Sequence, residues 1–106
     1  MEKSHVYIPD LNIPPLEPPP DSIVSKVILK NDFLEVTLFA FDAGQGLSTH
    51  TSAFPAIIEI LDGEGSMQLG EKDVQLFPGT WIYMEPNLPH SLVAATPLKM
   101  LLTLRK

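Results

Sequence analysis

The chain has 106 residues and a mass of 11.7 kDa, enough for one hydrophobic core but not for two. Its hydrophobic fraction of 44% excludes a disordered chain, and its net charge of −6 argues against a cationic surface for nucleic acid. The absence of cysteine excludes disulfides, thiolate metal sites and cysteine nucleophiles. Because we find no apolar run of about 18 residues and no apolar leader, we expect a cytoplasmic protein that does not interact with a membrane.

The first part of the chain is rich in proline. Six of the eleven prolines fall within residues 9–20. Proline lacks a backbone N–H and holds φ near about −65°, so we predict an extended arm over residues 1–21 and one folded domain over residues 22–106. Leu11, Ile13 and Leu16 could place this arm along an apolar surface, and a mobile tail is the alternative.

From residue 22 onward the pattern is that of β-strands. Residues 24–30 and 33–41 are β-branched or aromatic runs joined by Asn31 and Asp32, which fits a two-residue turn. Similar short runs, separated by turns that contain glycine or proline, follow at residues 56–61, 66–69, 73–77, 80–84, 90–94 and 98–104. Since no segment shows helical periodicity, we predict an all-β sandwich or barrel.

Alternation divides the run over residues 33–41 into two faces. One face carries the aliphatic residues Leu34, Val36, Leu38 and Ala40. Phe39 and Phe41 lie on the other face, which we expect to be the outer one, covered either by the proline-rich arm or by a second subunit. A homodimer is therefore expected.

A second aromatic pair occurs in the run over residues 80–84. Trp81 and Tyr83 share one face of this strand, and Ile82 and Met84 share the other. Aromatic residues in a strand are more often part of a core than of a ligand stack, so we expect Trp81 and Tyr83 to face the core.

Three histidines are candidates for chemistry. His5 lies near the terminus, where we expect it to be exposed and without a role. His50 and His90 each lie close to a turn but far apart in sequence, so only the fold can bring them together. If it does, they could act as ligands, as an acid or base with Tyr83 as a partner, or as half-buried structural residues.

The segment around His50 resembles the first motif of the cupins, a family of small double-stranded β-helix (jelly-roll) barrels. Residues 44–63 read GQGLSTHTSAFPAIIEILDG. Gly44 falls at the first glycine of this motif, His50 at its first histidine and Gly63 at its last glycine.

The segment around His90 resembles the second cupin motif. Residues 79–94 read GTWIYMEPNLPHSLVA, and Gly79 and His90 fall at the motif's glycine and histidine. The sequence Glu-Pro-Asn replaces the motif's Pro-x-Gly at residues 85–87, and Ala94 replaces its asparagine. The two resemblances together cover roughly residues 33–104 and imply a cupin barrel.

The resemblance also bears on metal binding, because metal-binding cupins use three histidines and a glutamate. Only His50 and His90 carry over, since Ser52 stands at the second histidine and Ala56 at the glutamate. A serine hydroxyl is a poor ligand beside imidazole, and a methyl group supplies none. We therefore expect either no metal or a weakly bound divalent ion (Ni, Zn, Fe or Mn), with water or Glu85 completing its coordination.

The preferred interpretation is a small cupin of unspecified activity that binds a small molecule in an apolar pocket beside a degenerate metal site. The predicted pocket residues, which combine an apolar wall with a polar corner, are His50, Ser52, Ala56, Ile58, Ile60, Tyr83 and His90. The alternative is a metal-dependent dioxygenase or isomerase, and a sensor or a barrel with a role only in association also fits. By analogy with small cupins, residues 6–8 are expected to pair across a dimer.

Overall fold

The computed structural model describes residues 4–12 and 16–106. Nine strands follow one another: β1 (Ile23–Lys30), β2 (Leu34–Phe41), β3 (Gly46–His50), β4 (Ala56–Asp62), β5 (Gly65–Leu69), β6 (Lys72–Leu76), β7 (Trp81–Met84), β8 (His90–Ala94) and β9 (Leu98–Arg105). The prediction of an all-β chain is confirmed, although the sequence pattern did not predict β3. Within the described ranges no helix could cross a membrane.

The strands form two antiparallel sheets that enclose one core. The five-stranded sheet has the order β1-β2-β9-β4-β7, and the four-stranded sheet has the order β3-β8-β5-β6. Apart from β1, which extends one edge, the strands are distributed as in a jelly roll. This topology places β3 beside β8, although residues 51–89 separate them in the sequence.

The hydrophobic core lies between the two sheets. Ile58 pairs with Ile82 on one side and with Leu102 on the other, so apolar rows continue across neighbouring strands. The buried members of the core are Phe41, Ala56, Ile58, Ile60, Met67, Leu76, Ile82, Met84, Leu92, Ala94, Leu98 and Met100. Ala56, Ile58 and Ile60, which were predicted for the apolar wall of the pocket, are among these buried residues.

The orientation of β2 is the reverse of the prediction. Phe39 and Phe41 are register partners of core residues in β9, and their stacked rings lie 6.1 Å apart on the inner face. Leu38 and Ala40 therefore point outward, yet they are only 3% and 1% exposed. Both faces of β2 are thus covered, which is why hydrophobicity alone assigned the inner face wrongly.

The N-terminal segment covers these outward residues of β2. Residues 8–12 line a cavity of about 580 Å³ together with Leu38 and Lys99, and the ammonium group of Lys99 donates to the side-chain carbonyl of Asn12. Farther along the chain, residues 17–18 lie beside Ala40. Residues 8–12 and 17–18 therefore lie beside part of the outer face of the five-stranded sheet.

Two of the three apolar residues predicted to follow such a surface are half-buried, namely Leu11 and Leu16. The third, Ile13, lies outside the described residues. Just before β1, the backbone N–H of Asp21 donates to the carboxylate of Asp42 at 2.7 Å, which ties the segment to the end of β2.

The turn between β1 and β2 is longer than the two residues predicted. Lys30 is the register partner of Glu35, so a loop of four residues, 31–34, connects the paired parts of the two strands. Within them, Oδ1 of Asn31 accepts hydrogen bonds of 2.8 Å from the backbone N–H groups of Phe33 and Leu34. Asparagine stabilises turns of this kind through its side chain.

Candidate functional site

His50 and His90 lie side by side on the four-stranded sheet. His50 ends β3, His90 begins β8, and the two are register partners. Their ring centroids are 4.2 Å apart and the ring planes are inclined by 59°. Since His90 is two residues from the core residue Leu92, it shares that residue's inward direction. His90 is buried and His50 is exposed, so the pair connects the interior to the surface.

Each imidazole ring is held through its Nδ1 atom. The Nδ1 of His50 lies 2.7 Å from the carbonyl oxygen of Ser48, and the Nδ1 of His90 lies 2.8 Å from that of Leu88. Because a carbonyl oxygen can only accept, both Nδ1 atoms carry a proton and donate it. In the neutral ring Nε2 is then a free acceptor. In both cases the carbonyl belongs to the residue two positions earlier, a relation that the sequence reasoning missed and for which no motif exists.

Ser52 does not continue the alternation that begins at His50. Strand β3 ends at His50, and Ser52 lies in the loop that follows. Its hydroxyl donates to the carbonyl oxygen of Phe54 and accepts from the backbone N–H of the same residue, both at 3.1 Å. Ser52, which was predicted to line the pocket with His50, therefore lies beyond the strand that ends at His50.

The apolar residues predicted for the pocket all lie in the core. Ala56, Ile58 and Ile60 alternate along β4 and are almost completely buried. Ala56 is the register partner of Met84 and of Leu104, at the same end of the sandwich at which β3 ends and β8 begins. The interior next to the histidine pair is therefore hydrophobic on the side of the five-stranded sheet.

Trp81 and Tyr83 do not face the core, contrary to the prediction. Ile82 and Met84 are the buried residues of β7, whereas Trp81 and Tyr83 are 59% and 48% exposed on the outer face. Tyr83 is the register partner of Ile57 there and lies on the opposite side of the sheet from the histidine pair. The structure therefore separates Tyr83 from the other predicted pocket residues.

Tyr83 instead forms a pair with Glu85. Its hydroxyl donates to Oε2 of Glu85 at 2.9 Å. This hydrogen bond raises the pKa of the Tyr83 phenol above its ordinary value, and partial desolvation and the negative charge of Glu85 act in the same direction, while the charge of Arg105 opposes them. The bond also holds the carboxylate of Glu85 on the outer side of the sheet.

We expect the substitution Glu85→Gln to lower the pKa of Tyr83. Because the folded-state pKa is raised, the pair contributes stability below the unfolded tyrosine pKa of about 10, and this contribution is lost as the pH rises through the raised value. Ultraviolet titration of the phenolate measures the shift in a Tyr7→Phe background, which leaves Tyr83 as the only tyrosine. The control Glu71→Gln, in the turn between β5 and β6, should not move the titration; an equal shift in both variants would contradict the pairing.

The donor set around the histidines is too small for a metal site of the cupin kind. Within residues 4–12 and 16–106, no group of three or more His, Cys, Asp or Glu side chains is placed to hold an ion. Glu85, the predicted additional ligand, is bound to Tyr83 outside the barrel. Two imidazoles alone leave a divalent ion short of ligands and without a compensating carboxylate. The residues present therefore do not fit the three-histidine, one-glutamate centre.

Asn87 explains one departure from the second motif. It stands where the motif has the glycine of Pro-x-Gly, and it has φ of +68°. Among residues with a side chain, asparagine is one of the few that tolerate this left-handed conformation. Its backbone N–H donates to the carbonyl oxygen of Ser52 at 2.7 Å, so this turn ties the loop after β7 to the loop after β3.

A family model described as the cupin domain matches residues 37–104. This match covers more than half of the chain, and the jelly-roll topology agrees with it. The chain belongs to the cupin family.

Solved structures with the same fold include proteins of different kinds. A conserved protein of unknown function from Streptococcus pyogenes is 27% identical with a TM-score of 0.82, over 100% of this chain and 90% of that one. A cupin superfamily protein from Desulfitobacterium hafniense is 20% identical with a TM-score of 0.81, over 85% and 83%. A DMSP lyase from Ruegeria pomeroyi is 21% identical with a TM-score of 0.73, over 79% and 47%. No curated protein matches the chain. The likenesses to the Desulfitobacterium hafniense and Ruegeria pomeroyi proteins support the fold alone.

Proposed function

We propose that this cupin binds a small, mainly apolar molecule that carries a hydroxyl or N–H group, at the end of the barrel where His50 and His90 meet. The observation that carries the proposal is the pair of imidazole rings with both Nδ1 atoms committed to backbone carbonyls. With both Nδ1 atoms donating, the Nε2 of each neutral ring is an acceptor, so the complementary ligand is one that donates.

The surroundings of the pair favour a ligand that is otherwise apolar. Ala56, Met84 and Leu104 form one cross-strand row at this end of the five-stranded sheet. On the four-stranded sheet, Leu69 is the register partner of His90. A hydrophobic wall with few polar groups is the usual composition of a small-molecule site, in which the polar groups fix the orientation of the ligand.

The function is tested with p-cresol and toluene, which share a ring and a methyl group but differ in the hydroxyl. We expect p-cresol to bind at least about fivefold more tightly than toluene, because one hydrogen bond contributes about 1 kcal/mol. Shifts of the His50 and His90 ring resonances in a ligand titration followed by NMR would measure both affinities.

The matched variants are His90→Ala and His5→Ala. The first should bring the affinity for p-cresol down to that for toluene, and the second, which changes a histidine remote from the pair, should leave it unaltered. Equal binding of p-cresol and toluene by the unmodified chain, or preference for p-cresol in His90→Ala, would remove the proposal.

A metal-dependent enzyme is the second candidate, and one observation favours it. Metal-binding histidines usually donate their other ring N–H to a carbonyl or carboxylate, and both histidines of the pair do so. Calorimetric titration of the metal-free chain with ZnCl₂ and NiCl₂ distinguishes the candidates. Stoichiometric binding that is lost in His50→Ala would favour a water-completed ion at the pair, whereas weak binding is what two ligands should give.

A further inference from the structure

We infer that Asn87 is a positioning residue for His90, because the turn that contains Asn87 fixes which ring nitrogen of His90 carries the proton. The inference rests on the proposed function, in which a ligand that donates needs the Nε2 atom of His90 as its acceptor. A neutral imidazole can carry its proton on either nitrogen, and the hydrogen bond of one nitrogen decides between the two tautomers. In His90 this bond runs from Nδ1 to the carbonyl oxygen of Leu88 at 2.8 Å. The residues that position this carbonyl group therefore determine the tautomer.

Residues 85–88 form a β-turn of type II. The backbone N–H of Leu88 donates to the carbonyl oxygen of Glu85 at 3.4 Å, which closes the turn. Pro86, the second residue, has its φ fixed near about −65° by the ring, whereas Asn87, the third residue, has φ of +68°. Among the common turns, type II is the one that combines these signs, with proline favoured at the second position and glycine or asparagine at the third.

The type of this turn decides where the N–H of Asn87 points. In a type II turn the central peptide group is rotated by about 180° relative to a type I turn. Here this orientation directs the N–H of Asn87 to the carbonyl oxygen of Ser52, at 2.7 Å, in the loop after β3. A β-branched residue at position 87 would disfavour the positive φ and favour type I, in which the same N–H points away from Ser52.

A second bond attaches the segment on the other side of Leu88. The backbone N–H of Gly70, in the turn between β5 and β6, donates to the carbonyl oxygen of Pro89 at 2.8 Å. The side chain of Leu88 itself packs against the core. The carbonyl group that accepts from His90 therefore lies between two attached residues. Because His90 is only 8% exposed, water has little access to replace this carbonyl group if the turn changes.

His50 provides an internal reference for the effect of the turn. Its Nδ1 atom donates to the carbonyl oxygen of Ser48, which belongs to β3 and not to a turn. A change at Asn87 should therefore alter the tautomer of His90 much more than that of His50.

Long-range proton–nitrogen NMR spectra of the full chain measure the tautomers, at a pH about two units above the ordinary imidazole pKa of about 6.5. We expect Asn87→Val to lower the ratio of the Nδ1–H form to the Nε2–H form of His90 at least about fivefold, because one hydrogen bond is lost. Asn87→Gly should keep the ratio of the unmodified chain, since glycine adopts a positive φ without steric cost. Asn87→Ala is a second, smaller disrupting variant, and circular dichroism verifies that the variants fold.

The matched control is Asp21→Val. Asp21 is the other residue with a side chain that has a positive φ within the described ranges, at +59°, and it lies before β1. This substitution introduces the same kind of backbone strain remote from the turn, so the tautomer ratio of His90 should not change. An unchanged ratio in both Asn87→Val and Asn87→Ala, or an equal change in Asp21→Val, would overturn the inference.

The affinity for p-cresol, measured on the same samples, separates this inference from the proposed function. It should fall at least about fivefold in Asn87→Val and stay unaltered in Asn87→Gly. If the unmodified chain does not prefer p-cresol to toluene while the His90 ratio still depends on Asn87, the proposed function is wrong and the positioning role holds. If p-cresol is preferred but the ratio is the same in Asn87→Val, the positioning role is wrong and the proposed function holds.

Discussion

Replacing Gly63 by alanine is expected to lower the free energy of unfolding by at least about 3 kcal/mol, a large share of the total stability of a domain of this size. Gly63 has φ of +86°, and a Cβ atom there would lie 2.0 Å from the carbonyl oxygen of Pro97 and 2.6 Å from the Cα of Leu98. These are backbone atoms at the start of β9, so the clash can be relieved only by moving the central strand of the five-stranded sheet. Urea denaturation followed by circular dichroism measures the loss.

Gly79 provides the control for backbone strain alone. It has a similar φ of +94°, but a Cβ atom there would have no neighbour within 4 Å. We expect Gly79→Ala to cost only the strain of the left-handed conformation, about 1–2 kcal/mol. If the two variants lost the same stability, the close approach of Gly63 to β9 would not matter for the fold.

The second large effect is expected for Phe41→Ala, at about 3–5 kcal/mol. Phe41 has no exposed surface, and its ring stacks against Phe39 inside the barrel. Removing the ring leaves a cavity between the sheets that the neighbouring strands cannot close without losing their register. The same denaturation measurement applies, and a fall in thermal midpoint should accompany it.

Phe33→Ala is the matched control, since Phe33 precedes the same strand but is 72% exposed. Its cost should stay within about 0.5 kcal/mol. The comparison also tests the burial of Phe41 between the sheets, because the sequence had predicted the outer face for this residue. A cost of Phe41→Ala as small as that of Phe33→Ala would contradict this burial.

The positions of the strands could be predicted from the sequence because turns with glycine or proline separate short apolar runs. Eight of the nine strands lie at or within two residues of those runs, whereas β3 (Gly46–His50) contains too few apolar residues to be recognised by alternation. Which face of β2 is the inner one could not be predicted. The N-terminal segment buries Leu38 and Ala40 from outside, so both faces of this strand carry the same apolar signal.

The histidine pair was reached from the resemblance to the two cupin motifs, in which His50 and His90 fall at histidine positions. The orientations of the Ser52 and Tyr83 side chains could not be predicted from the motifs. Ser52 follows the end of a strand whose length the motif does not state, and its hydroxyl is used by the loop backbone. Tyr83 is an aromatic residue of a kind that is common in the core of a sheet. The opposite face of β7, formed by Ile82 and Met84, is also apolar, and this face packs into the interior instead.

The place of β3 in the sheet has a consequence for how the barrel moves. This strand is at an edge, with β8 as its neighbour in the described sheet and an irregularity in their ladder just before His50. Edge strands, which form hydrogen bonds to only one neighbouring strand, detach from a native structure at a lower free energy than central strands do. We therefore expect β3 to detach at a lower free energy than the central strands; His50 would move with it, whereas His90 would stay paired with Leu69 of β5.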